Sequence, residues 1–153
     1  MEIRNILKLE AILSSVKASG KKHILQELSR HAANVTGIEE VRIFETLLER
    51  ERLGTTGVGN GIAIPHGKLK GIDSLHGVFA RLVKPIDFDA IDERPVDLIF
   101  LLLAPQGAGA DHLKALARIS RLLRDETVCK KLRGADNTDG LYMLLTQSEA
   151  RAA

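Results

Sequence analysis

Hydrophobic positions recur with helical spacing towards both ends of the chain and run together in its middle. Ile24, Leu25, Leu28 and Ala32 fall on one face of a helix predicted over 21–33. Thr36-Gly-Ile-Glu39 has the spacing of a capping box. Val41, Phe44, Leu47 and Leu48 then line one face of a second helix, which should end near Arg52, before Gly54. Ile62-Ala63-Ile64 reads as a short strand stopped by Pro65, whose ring fixes φ. Gly77 to Lys84 reads as another strand, closed by Pro85. The apolar character of Val96 to Ala104, continuous but for Asp97, marks a strand covered on both faces. Pro105-Gln-Gly-Ala-Gly forms a loop, after which Asp111 is placed to cap a helix over 111–124. Leu113, Leu116, Ile119, Ser120 and Leu123 lie along one side of that helix. Shorter helices near 125–133 and 138–147 follow. Alternating helices and strands predict one α/β domain, a mixed β-sheet flanked by helices on both faces. Strand order is not legible in the pattern.

Composition narrows the class. The 153 residues are 44% hydrophobic and 27% charged, ordinary for a globular protein with a real core. The 22 basic and 20 acidic residues leave a formal net charge of +2, and no basic block stands out, which argues against nucleic acid as partner. One Tyr, four Phe and no Trp give no base-stacking platform. The single cysteine, Cys129, excludes an intrachain disulfide and a cysteine-rich zinc site. The longest apolar run, Leu98 to Ala104, falls far short of the roughly 20 residues of a membrane span. No signal peptide is expected, and the expected location is the cytoplasm.

The chemistry concentrates in Leu53-Gly-Thr-Thr-Gly-Val-Gly-Asn-Gly-Ile-Ala-Ile-Pro-His-Gly-Lys68. Gly54, Gly57, Gly59 and Gly61 permit a tight backbone, and His66 follows the short strand, between Pro65 and Gly67. Gly67 would remove bulk where a partner must approach. Neither the dinucleotide fingerprint nor a P-loop fits, because the required glycines and the Ser or Thr after Lys68 are missing. His66 is either a loop histidine without a role or a positioned nucleophile, neutral near physiological pH. His112, at the predicted start of a helix, is either a capping-region residue or part of an anion pocket. Arg50 either ends its helix in solvent, favoured by the dipole, or reaches a phosphoryl group with its planar fork. His23, His31 and His76 read as surface residues, and no histidine pair has helical metal-site spacing. A hydrolase using His66 as base lacks an accompanying nucleophile motif.

Together with Leu-Leu-Glu-Arg50-Glu, the strand Pro-Val-Asp-Leu-Ile-Phe-Leu-Leu-Leu-Ala-Pro and Asp111-His112-Leu, the glycine segment closely resembles the mannitol/fructose-type EIIA domains of the phosphoenolpyruvate phosphotransferase system. The resemblance covers about residues 4–146. Lys84-Pro-Ile-Asp-Phe-Asp-Ala-Ile-Asp and Ala108-Gly-Ala-Asp-His-Leu-Lys-Ala-Leu-Ala-Arg are most similar to the nitrogen-regulatory branch. The resemblance implies a phosphocarrier that accepts a phosphoryl group from a phosphorylated HPr-like protein on Nε2 of His66. It implies Arg50 and His112 beside the transferring group, and Asn60 as a support whose side chain orients the loop. No metal or organic cofactor is implied. Regulatory targets such as potassium-transport or sensor-kinase proteins would respond to the phosphorylation state. The alternative is a sugar-specific EIIA that passes phosphate to a transporter EIIB.

Overall fold

The computed structural model describes residues 2–152, with side chains through Gln147. The chain opens on a helical turn α1 (Ile3–Ile6), a 3₁₀ turn (Leu9–Ala11) and a strand β1 (Ile12–Val16). Two helices follow, α2 (Lys21–Thr36) and α3 (Glu40–Arg52), then three short strands, β2 (Gly57–Gly59), β3 (Ile62–Ala63) and β4 (His66–Leu69). The long strands β5 (His76–Ile86) and β6 (Val96–Pro105) precede α4 (Ala110–Leu123), α5 (Glu126–Gly134) and α6 (Thr138–Ala152).

The sheet is mixed, in the order β1-β5-β6-β3-β2, with β4 also paired to β6. β1 runs parallel to β5, β5 antiparallel to β6, and β3 and β4 parallel to β6. Helices α2 and α3 pack on each other and against β5 and β4, while α4 lies on β6 and α6 on β1. β6 is accordingly buried from Leu98 to Ala104, as its unbroken apolar run requires. At the centre Phe79 and Phe100 pair across β5 and β6 with ring centroids 6.3 Å apart.

Several local expectations give way to tertiary contacts. Thr36 does not begin a helix; it closes α2, its Oγ1 donating to Ala32 O at 2.8 Å, and Gly37 turns left-handed behind it. The N-cap of α3 is Glu39, which makes no side-chain cap. Asp111 likewise does not cap α4: Gly109 occupies that position, and Asp111 lies in the first turn, facing the helix dipole. Pro85 does not close its strand, and Pro105 belongs to a strand rather than to the loop that follows. Pro85 sits where β5 breaks register between Arg81 and Ile86, so its missing N–H costs no ladder bond. Pro105 is the last residue of β6, paired with Leu69.

His66 starts a strand rather than trailing one. Ile62 pairs with Leu98, Ala63 with Ile99, His66 with Leu102 and Gly67 with Leu103, so β3 and β4 follow one register along β6. Only the Ile64-Pro65 dipeptide interrupts them, and there Pro65 O still accepts from Leu102 N at 3.0 Å. β3 in turn closes a hairpin with β2 through Asn60 and Gly61, both at positive φ (56° and 81°). Asn-Gly is the residue pair that such a two-residue turn favours, so the sequence itself carries the signal for this hairpin.

Candidate functional site

The interrupted strand delivers His66 to a cleft of about 580 Å³ between the C-terminal end of α3 and the first turn of α4. Arg50, Arg52, Leu53, His66, Lys68 and His112 are among its walls, with Thr46, Glu49 and Gly67 completing them. Three cations face one carboxylate there, a balance that favours an anionic guest.

His66 is half-buried, and its Nδ1 lies 2.8 Å from Ile64 O. A carbonyl only accepts, so Nδ1 carries the proton and Nε2 keeps its lone pair. Burial holds this imidazole below the ordinary histidine pKa; the Ile64 carbonyl raises it, the Arg50 charge lowers it further, and Glu51 opposes Arg50. The ring is therefore neutral and nucleophilic near neutral pH.

His112, in the first turn of α4, is 8% exposed and stands edge to face with His66, ring centroids 5.7 Å apart. Among the described residues its Nε2 is the buried side-chain nitrogen without a hydrogen-bond partner. Burial again lowers its pKa, assisted by His66 and Lys68. An orphaned ring nitrogen beside a nucleophile is a donor or acceptor available to an incoming group. Arg50, in the last turn of α3, donates from Nη1 to Gly54 O at 3.0 Å, which holds the guanidinium against the following loop.

Gly67 is buried, but what it admits is not an outside partner. A Cβ there would lie 2.7 Å from Thr46 Cγ2, so its absence lets α3 close on β4. Asn60 is not among the cleft residues. It sits at the tip of the β2–β3 turn, where its backbone N–H donates to Asp92 Oδ2 at 2.9 Å and its carbonyl accepts from Arg133 at 3.1 Å. The bonds that anchor this turn come from its backbone. His23 is exposed, His31 and His76 are half-buried, and none of the three lines the cleft.

A buried polar cluster behind the cleft has no counterpart in the sequence reading. The Glu51 side chain is 4% exposed; its Oε1 accepts from Thr56 N at 3.0 Å and meets Lys21 Nζ at 3.0 Å, and its Oε2 accepts from the Thr56 hydroxyl. Thr56 O accepts from Ile64 N at 3.0 Å. Glu51 beside Arg50 looks like one more charge at a helix end; only its burial distinguishes it.

Comparison with known proteins supplies a context for this geometry. The family described as phosphoenolpyruvate-dependent sugar phosphotransferase system, EIIA 2, matches residues 5–148. The chain belongs to this family. It is 56% identical, over the whole of both chains, to a nitrogen regulatory protein of Bradyrhizobium diazoefficiens. It is 42% identical over 151 residues to the nitrogen regulatory protein of Escherichia coli K12, covering 97% of this chain and 92% of that one. The crystal structure of nitrogen regulatory protein IIA-Ntr from Neisseria meningitidis superposes with a TM-score of 0.90 at 33% identity, covering 94% of this chain and 99% of that one. The EIIA 2 match spans every residue of the cleft. Among the described residues of this EIIA 2 chain, no helix is long and apolar enough to cross a membrane, and no three His, Cys, Asp or Glu groups gather as a metal site.

Proposed function

We propose that the chain is a phosphocarrier of the nitrogen-regulatory phosphotransferase system, working in the cytoplasm. It accepts a phosphoryl group from a phosphorylated HPr-like protein on His66 Nε2. One observation carries the reading: the Ile64 carbonyl holds the Nδ1 proton and leaves Nε2 bare, next to a buried, unpartnered His112 nitrogen in a cationic cleft.

In the transfer, the Nε2 lone pair attacks phosphorus, a new N–P bond forms, and the electrons of the donor's N–P bond return to the donor ring. Bond type hardly changes, so alignment and charge stabilisation supply the rate. Ile64 O steadies the positive charge that builds on the His66 ring through its bond to Nδ1–H. Arg50 offers planar donors to the phosphoryl oxygens, and His112 an N–H from the other side. Leu53 (85% exposed) and Leu113 (69% exposed), the latter next to His112, give the donor apolar footholds around the cleft.

Phosphorylation adds about −1.5 to −2 charge at this surface. A regulatory target, such as a potassium-transport or sensor-kinase protein, that docks over His66 in the free form is thereby disfavoured. The 56% identity to a nitrogen regulatory protein supports this branch. Purified phosphorylated HPr-like donors of the nitrogen and sugar branches test the reading. The expected result is rapid labelling from the nitrogen-branch donor. Labelling only from the sugar-branch donor, followed by passage to a transporter EIIB, replaces it with the sugar-specific function.

A further inference from the structure

A carboxylate taken out of water must be matched by donors, or it destabilises the fold. Glu51 meets this condition with both oxygens: Lys21 from α2, and the backbone and hydroxyl of Thr56. Thr56, itself 3% exposed, then carries the constraint to the hairpin. Its carbonyl accepts from Ile64 N, extending the β2–β3 pairing one step beyond Ala63. Ile64 O is the acceptor of His66 Nδ1–H. An unbroken chain of contacts thus runs from Lys21 through Glu51, Thr56 and Ile64 to the nucleophile. Thr55 braces the same loop from the other side, its hydroxyl donating to Phe88 O at 3.1 Å.

We propose that Glu51, paired with Lys21, is a positioning residue for His66: through Thr56 it sets the Ile64 carbonyl that keeps the imidazole in its Nδ1–H form. Glu51 lies on the turn of α3 that also bears Arg50, so one helix end places both the phosphoryl-binding cation and the tautomer of its nucleophile. A buried ion pair adds little net stability over an apolar pair of the same size, so placement is the effect that distinguishes this one. The inference rests on the phosphocarrier reading for its effect on rate, and on the structure alone for its effect on tautomer.

The ring nitrogens of His66 in 15N-labelled protein report the tautomer directly, without any donor. Wild type should show Nδ1 protonated and Nε2 bare. Thr56→Val, which keeps the Lys21–Glu51 pair, and Glu51→Gln should each move His66 towards a mixture with the Nε2–H form. Thr56→Ser, which retains the hydroxyl, should restore the wild-type signature. With a phosphorylated HPr-like donor, acceptance by the first two variants should slow by up to about 100-fold, the scale of a misplaced reacting group, with unchanged donor affinity. An unaltered His66 signature in folded Thr56→Val and Glu51→Gln overturns the proposal. Loss of the fold in both also overturns it, assigning the cluster to stability alone. A shifted tautomer in a protein whose wild type never accepts phosphate upholds the positioning role and rejects the phosphocarrier.

Discussion

The imidazoles of His66 and His112 stand edge to face, 5.7 Å between ring centroids and 71° between planes, although one opens β4 and the other lies in the first turn of α4. A phosphoryl group on His66 therefore has the second ring as its neighbour. His112→Ala should still accept phosphate, because the nucleophile is intact, but about 100-fold more slowly, the usual loss for one transition-state donor. His112→Gln supplies a neutral donor and should fall between. Quench-flow transfer rates measure this series, and an alanine variant as fast as wild type removes His112 from the mechanism.

His66 should be the sole carrier. After incubation with a phosphorylated HPr-like protein, mass spectrometry should locate one acid-labile, alkali-stable phosphoryl group on this residue. His66→Ala should take up none. Stable label on a serine or threonine contradicts the phosphohistidine route.

Arg50 is half-buried at a helix end, and its recorded bond goes to the Gly54 carbonyl, not to a core group. Arg50→Ala should lower stability by no more than about 1 kcal/mol, the value of one hydrogen bond. Transfer should slow far more, by about 100-fold. Arg50→Lys should recover little, since a single ammonium cannot reproduce the fork. Denaturant midpoints beside transfer rates separate the two effects; equal loss in both would return Arg50 to a structural role.

The depressed pKa values of His66 and His112 set a direction for acid sensitivity. In the unfolded chain these two imidazoles protonate at about pH 6.5, in the folded chain only at lower pH. Between those values the unfolded state binds more protons, so stability rises with pH there. It is fully present above about pH 6.5 and is lost as pH falls through the folded values. His31 and His76, lowered by burial as well, act in the same sense. Urea midpoints across this window should fall less steeply for His112→Gln than for wild type. An identical slope would show that His112 takes up no extra proton on unfolding.

Gly67 should resist substitution for a reason that lies on another element. A Cβ at this position meets Thr46 Cγ2 at 2.7 Å. Gly67→Ala should cost about 1–3 kcal/mol, the range for an overpacked site. Thr46→Ser removes the opposing methyl, so the double variant should regain most of that loss, a coupling that thermal or urea unfolding detects. Additive losses would place the strain elsewhere.

Elements whose signal is local can be read from the chain alone. The face of α2 follows from apolar residues at helical spacing, and β6 from a run of large side chains that only a doubly covered strand can bury. Pro65, His66 and Gly67 stood out for the same reason: their backbone constraints are carried by the residues themselves. α3 and α4 form where the spacing predicts them, but their buried faces are rotated: Val41 and Leu113 are exposed, while Ile43 and Leu47, and Ala115, Ile119 and Leu122, meet the core. Features that depend on partners distant in the chain emerge only on folding. β1 carries no clear alternation and exists because β5 offers it a parallel edge. β3 and β4 are too short to hold alone and are strands only because β6 keeps them in one register. Thr36 had equal local chemistry for capping the next helix or closing its own, and the Ala32 carbonyl took its hydroxyl. Glu51 became a buried anchor because Lys21 and Thr56 meet it there. His112 became the neighbour of His66 because β6 pairs with β4 and then leads into α4. Periodicity records which side of an element avoids water; it does not record which distant group comes to meet a buried charge or a ring nitrogen.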